Sequence, residues 1–219
     1  MSNIKIELSE LEKVNGIGKK TLQEVRKYLI NKGDIEKKSI EEVGFPDKKF
    51  DVIYADPPWQ YKENWGNGSN EHTYPTMGID EIKSLPVEEI SKEKSHLYLW
   101  VTNPFLGEGI ELCKSWGFDY KTLLTWRKTY KDGTPEMGMG YYFRGCTEHI
   151  IFGVRGGKKC NNKTTKNHFD MVNPRWKGGL HSQKPKEFRD VIENCSSGSK
   201  IELFARERNE GWTVWGNEV

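Results

Sequence analysis

Apolar positions along the chain fall into short runs separated by glycine, proline and polar stretches, the pattern of an α/β protein. Residues 52–55, Val-Ile-Tyr-Ala, form the first run and read as a buried strand. It stops at Asp56-Pro57-Pro58-Trp59, because prolines cannot donate to a ladder and force the residue before them into extended geometry. Residues 96–102 (HLYLWVT) predict a second buried strand, and 104–116 a helix with Pro104 in its first turn and Gly117 at its end. Residues 120–128 and 147–154 predict two more strands. A helix is expected over 183–195 with Phe188, Val191 and Ile192 as its apolar face, then strands over 200–205 and 212–215. The long stretch 60–77 reads as a binding loop or lid, and 130–144, with glycines among aromatics, as a mobile loop. Strands separated by helical or loop stretches point to a doubly wound α/β domain.

Residues 1–44 have a different character, rich in Lys and Glu and without tryptophan. Leu22, Val25 and Leu29 recur at helical spacing after the turn Gly16-Ile17-Gly18. That turn, with Lys19 and Lys20 behind it, resembles a helix-hairpin-helix, whose backbone N–H groups take a phosphate without reading sequence. A plain packing hairpin explains the same periodicity. The expected division is a helix-hairpin-helix-like module with its connector over 1–44 and a second domain over 45–219.

Composition narrows the function classes. The 219 residues suffice for one core and a small appendage. With 35% hydrophobic and 30% charged residues, and a mean hydropathy of −0.79, the chain reads as soluble. No apolar run approaches a membrane span and the N-terminus lacks a signal-peptide pattern, so a cytoplasmic protein without membrane partners is expected. Cys113, Cys146, Cys160 and Cys195 are far apart, with no metal-binding spacing, and read as free thiols; no metal is expected. A net charge of +2 confines any nucleic-acid surface to a local patch. The stretch 155–169 is the candidate: it carries Arg155, Lys158, Lys159, Lys163 and Lys166, with no acidic residue from His149 through Phe169, and Arg175-Trp176-Lys177 follows. A solvated loop is the plainer reading of such a run.

The candidate chemistry lies at Asp56. A carboxylate and a backbone carbonyl fixed at a strand's carboxyl end stand where open α/β sheets bind ligands. Together they suit an exocyclic amine, whose nitrogen is a poor nucleophile while conjugated to a base ring. Trp59 would offer a face to a flipped base.

This motif and those after it resemble the MT-A family, the catalytic subunits of eukaryotic messenger-RNA adenosine methyltransferases with their bacterial and phage relatives. The resemblance covers about residues 50 to 219. It runs through Tyr74 in a Tyr-x-Thr-Met setting, Trp100, Trp126, Glu148-His149, Lys184-Pro185 and the ending Ile201-Glu-Leu-Phe-Ala-Arg206, Asn209, Gly211-Trp212, Gly216-Asn217-Glu218. It implies a permuted, β-type Rossmann-like fold and transfer of a methyl group from S-adenosylmethionine to the exocyclic amine of adenine. Asp56, Pro57, Pro58 and Trp59 would be catalytic. Asp34, Ile35, Asp56, Lys184, Glu202, Phe204, Arg206, Asn209, Asn217 and Glu218 would hold the cofactor, Lys184 by meeting its carboxylate. Nucleic acid would meet Trp59, Tyr61, Tyr74, Lys158, Lys159, Lys163, Lys166, Gly16, Gly18 and Lys19. Trp100 and Trp126 read as core, and Glu148-His149 as a structural pair. Two departures stand out: Ala205 replaces a family glycine, and the loop from Arg206 to Trp212 is short. The alternative is an inactive nucleic-acid-binding partner subunit, but such subunits typically alter the acidic-Pro-Pro-aromatic motif, which is intact here. The hairpin-like turn favours DNA over RNA as substrate, and homodimer and heterodimer both stay open.

Overall fold

The computed structural model describes residues 44–61, 76–140, 142–179, 182–216 and 219. In chain order its elements are β1 (Phe50–Ala55), α1 (Ile79–Ser84), β2 (Ser91–Val101), α2 (Leu106–Ser115), β3 (Asp119–Thr129), β4 (Thr147–Arg155), β5 (His168–Val172), α3 (Glu187–Cys195), β6 (Lys200–Leu203) and β7 (Thr213–Trp215). Two 3-10 turns, Asn103–Phe105 and Pro174–Lys177, complete the set. The strands form one sheet in the order β5-β3-β4-β2-β1-β6-β7. Strand β4 is antiparallel to both its neighbours, while every other pairing is parallel. The first residues of β4 therefore stand at the edge where the other strands end.

Strand alternation sorts the core onto two faces. Ile53, Ala55, Leu97, Leu99, Val101, Ile151, Ile201 and Leu203 pack with Ile82 of α1 and Leu112 and Cys113 of α2. Val52, Tyr54, Tyr98, Trp100, Trp126, Ile150, Phe152 and Val154 pack on the opposite face with Phe188 and Ile192 of α3. Helices on both faces of a mostly parallel sheet make the fold doubly wound α/β, of the Rossmann-like type. Trp100 and Trp126 are buried core residues, as their sequence setting suggests. Helix α2 lies close against the sheet at Gly109, where a Cβ would collide with Val101 and come within 2.8 Å of Ile151.

The structure departs from the sequence reading in several elements. Strand β2 begins at Ser91, ahead of the apolar run, because its first turn of chain is held by β1 through Phe50 and Ser91. Helix α1 has no sequence signature: six residues with two apolar positions are too short to show a period. Strand β5 falls at the end of the stretch that the sequence reads as a basic loop; it is an edge strand paired only to β3 and half-exposed, which blurs its alternation. Helix α3 starts at Glu187, leaving Gln183-Lys184-Pro185 outside it. Strand β6 ends at Leu203, because Phe204 turns into left-handed geometry with φ 61°. The stretch 130–144 is a braced hairpin in its described part, with Tyr130 N–H donating to Thr134 O at 2.9 Å and Gly138 N–H to Gly145 O at 2.8 Å. The predicted module at 1–44 lies almost wholly outside the described residues.

Candidate active site

Strands β1 and β6 run side by side, with Ala55 level with Leu203. Beyond that level the chain leaves the sheet as Asp56-Pro57-Pro58 on one side and Phe204-Ala205 on the other. The proline turn is fixed from three directions. Trp59 N–H donates to Pro57 O at 2.9 Å, and Met77 N–H donates to Pro58 O at 2.8 Å. The Trp59 indole donates to Trp100 O at 3.1 Å, and its ring stacks on Phe105 with centroids 5.2 Å apart. Tyr61 closes this corner, its hydroxyl 2.8 Å from that of Thr102 and its ring edge-on to Phe105.

Asp56 sits partly exposed, with a side-chain accessibility of 29%, above the half-buried ammonium of Lys184. Lys184 Nζ donates to Asp56 Oδ2 at 2.8 Å and stands 3.5 Å from Glu148 Oε2. Lys128 donates to the other oxygen of Glu148, so two carboxylates and two ammonium groups alternate in one chain. Burial alone would lower the Lys184 ammonium, yet the Asp56 and Glu148 carboxylates hold its pKa above the usual lysine value. Burial would raise Glu148, yet Lys184 and Lys128 outweigh it and keep that carboxyl below its ordinary value. Beside Glu148, His149 reaches Thr125 Oγ1 at 3.1 Å and Asn103 Oδ1 at 3.0 Å.

A second polar cluster centres on Glu202 of β6. Arg189 of α3 donates twice to Glu202, at 3.0 Å to each oxygen, and Asn209 donates to Glu202 Oε2 at 3.4 Å. The ends of β6 and β7 meet backbone to backbone, since Ala205 N–H donates to Trp215 O at 3.0 Å and a Cβ at Gly216 would lie 2.5 Å from Ala205 O. Among the described residues, two non-glycines have left-handed φ, Phe204 here and Ser182, whose carbonyl accepts from Lys184 at 3.3 Å. Both stand at this edge, and backbone strain of this kind concentrates at functional sites.

A family model described as MT-A70 matches residues 50–218. The chain belongs to the MT-A70 family. Among its curated relatives is the Type II methyltransferase M.MunI of a Mycoplasma species, 33% identical over 194 residues that cover 80% of this chain and 79% of that protein. The human N(6)-adenosine-methyltransferase catalytic subunit METTL3 is 30% identical over 78% of this chain, and the human N(6)-adenine-specific methyltransferase METTL4 is 31% identical over 78%. Those matches span only 28% and 38% of the two human proteins.

The MT-A70 domain thus gathers Asp56, Pro57, Pro58, Trp59, Tyr61, Lys184, Glu202, Phe204 and Asn209 at or near one edge of the sheet, with Arg206 in the loop leaving it. Asp34, Ile35, Gly16, Gly18, Lys19, Tyr74, Asn217 and Glu218 lie outside the described residues. Three expectations change. Trp59 is buried and its ring is stacked on Phe105, so it braces the proline turn. Lys184, expected toward the cofactor's carboxylate, is engaged by Asp56 and Glu148. The basic stretch leaves β4 at the opposite edge: Lys158 pairs with Asp51 at 3.2 Å, at the far end of β1. At about 3.3 Å per residue, that end is about 17 Å from Asp56. Lys159, Lys163 and Lys166 follow in the same connection, whose Asn161 N–H donates to Cys195 O at the end of α3. The sequence shows β4 as a strand but not its reversal, which sends its exit away from Asp56. Glu148, read as structural, belongs to the Asp56 cluster, and the available signal was an acid at the second position of a buried strand. Lys128 and Arg189 were missed because their partners are distant in sequence.

Among the described residues, no group of three or more His, Cys, Asp or Glu side chains could hold a metal ion. No described helix is long and apolar enough to cross a membrane.

Proposed function

We propose that this chain transfers a methyl group from S-adenosylmethionine to the exocyclic amine of adenine in nucleic acid, DNA in preference to RNA. The observation that carries this reading is Asp56: a part-exposed carboxylate at the carboxyl end of β1, fixed through one oxygen by the half-buried Lys184 ammonium. Its other oxygen is left to accept one N–H of the amine. Pro57 O, which already accepts from Trp59 N–H, keeps a second lone pair for the other N–H. Held by both, the nitrogen turns its own lone pair out of conjugation with the ring. The catalysis is one of orientation, and the proton leaves after the nitrogen has become cationic.

The residues present fit the cofactor. It supplies an electrophilic methyl group on a sulfonium. Asp56 would offer negative charge to its cationic groups, and Asn209 with Glu202 polar groups to its ribose. The relatives named as adenine or adenosine N(6)-methyltransferases support the amine as target. DNA is favoured by the helix-hairpin-helix-like turn at Gly16 to Lys19, and by the match to most of the length of a Type II methyltransferase.

The test is mass-spectrometric measurement of methyladenine on DNA and RNA of matched sequence, for wild type and Asp56→Ala. Methyladenine on DNA, at least about 100-fold less with Asp56→Ala, is expected. Equal product from both proteins defeats the role given to Asp56, and product on RNA alone defeats the choice of substrate.

A further inference from the structure

We propose that the hairpin between β3 and β4 is a wedge that enters a nucleic-acid base stack beside the target base, with Tyr142 and Phe143 at its tip. The proposal rests on the functional reading above and extends it to how the amine is reached. The described part of this hairpin carries Met137, Met139, Tyr142 and Phe143, exposed by 68%, 99%, 85% and 88%. Among the described residues, the two other exposed large apolar side chains, Tyr61 and Tyr120, are exposed by 38% and 37%. Among the described residues, exposed apolar surface of this kind is concentrated at this hairpin, and such patches mark interaction sites.

The hairpin is built to hold its tip out. Glu136 N–H donates to Lys128 O at 2.8 Å, Lys128 N–H to Cys146 O at 2.7 Å and Gly138 N–H to Gly145 O at 2.8 Å. Glu136 is itself buried, held by Asn173 at 2.7 Å and Arg175 at 3.6 Å. The two arms approach too closely for side chains between them: a Cβ at Gly138 would lie 2.6 Å from Gly145 O, and one at Gly140 would fall on the Phe143 carbonyl. The result is a thin stalk under bulky apolar side chains.

Position and charge select the occupant. The stalk rises from Lys128, which bonds Glu148, which pairs with Lys184, which holds Asp56. The tip is thus on the Asp56 edge of the sheet, three side chains along from it. No acidic residue occurs from Met137 through Cys146, and Arg144 adjoins Phe143. At the base, Arg175 lies over the Trp176 ring at 4.5 Å, and Trp176 packs on Tyr130. An aromatic tip with Arg144 and no acid of its own complements a polyanion whose bases stack. An adenine amine inside a duplex is reached only by extruding the base, and apolar side chains commonly fill or force the gap.

The experiment compares full-length wild type with Tyr142→Ala/Phe143→Ala and with Phe143→Leu, which keeps the apolar volume. Sheared duplex genomic DNA and the same DNA heat-denatured serve as substrates, so no recognition sequence need be known. The double variant is expected to lose about 10- to 100-fold in methyl transfer on duplex, the scale of unstacking one base, and much less on denatured strands. Phe143→Leu should retain most of the activity, and cofactor binding by calorimetry should not change. Permanganate reactivity of thymines in the protein-bound duplex gives an activity-independent readout, raised by wild type and not by the double variant. Equal losses on duplex and denatured DNA, or unchanged permanganate reactivity, overturn the wedge. Loss of self-association by sedimentation, together with either result, identifies the tip as a protein contact. A wild type that transfers no methyl group defeats the functional reading alone, because permanganate still decides the wedge.

Discussion

Lys184 is surrounded by two carboxylates and little water, and that setting makes it more than a point of charge. Removing it leaves Asp56 and Glu148 facing each other without their shared cation. Lys184→Met should therefore cost about 3–5 kcal/mol of stability, read as a lower urea midpoint. Adding Glu148→Gln should recover part of that loss, because the two sites are coupled. A midpoint equal to that of wild type would show that the ammonium contributes nothing. The same cluster shows what a sequence can reveal at this scale. Asp56 was legible because its chemistry is written in four consecutive residues. Glu148 and Lys128 were not, since each is an ordinary strand residue until the fold brings Lys184 to them from dozens of positions away.

Among the elements, α2 fits closely against the sheet. Gly109 faces Val101 and Ile151 with no space for a methyl group, whereas Gly107 on the same helix has no atom within 4 Å of a Cβ position. Gly109→Ala should lower stability by about 1–3 kcal/mol through overpacking, seen as a drop in melting temperature. Gly107→Ala should be neutral or slightly stabilising through helix propensity. Equal effects of the two would mean that the helix can shift off the sheet at no cost. The interior strands were readable because burial on both faces produces continuous apolar runs, as in 52–55 and 97–101. Strand β5 and helix α1 were not, one being an edge with a single neighbour and the other a single short turn and a half.

Across the molecule, acid should act in two steps. His96 is fully buried; Lys158 O can only accept, so Nε2 carries the proton and Nδ1 accepts from Ser196, which in turn accepts from the Tyr98 hydroxyl. Burial, with the Lys158 charge, lowers the pKa of His96, and burial also lowers that of His149. A base with a lowered folded pKa stabilises fully above its unfolded value of about 6.5 and loses that contribution as pH falls through the folded value. Asp51 forms the second step. Burial opposes its charge, but Lys92, the Ser199 N–H and hydroxyl, and Lys158 hold its carboxyl well below the usual range. With Glu148, it contributes stability above about pH 4 that disappears as pH falls further. Urea midpoints should be flat from about pH 8 to 7, fall below about 6.5 and fall again below about 4. His96→Gln should shrink the upper fall and leave the lower one; a single fall unaffected by that change would contradict the assignment.

Strand β1 carries that Asp51 tie at one end and Asp56 at the other. At about 17 Å apart and without shared partners, substitutions at the two ends should add independently. Related chains can then drift in heat tolerance by exchanging residues around Asp51, Lys92 and Ser199, with turnover untouched. A selection for longer-lived protein should collect its changes there first.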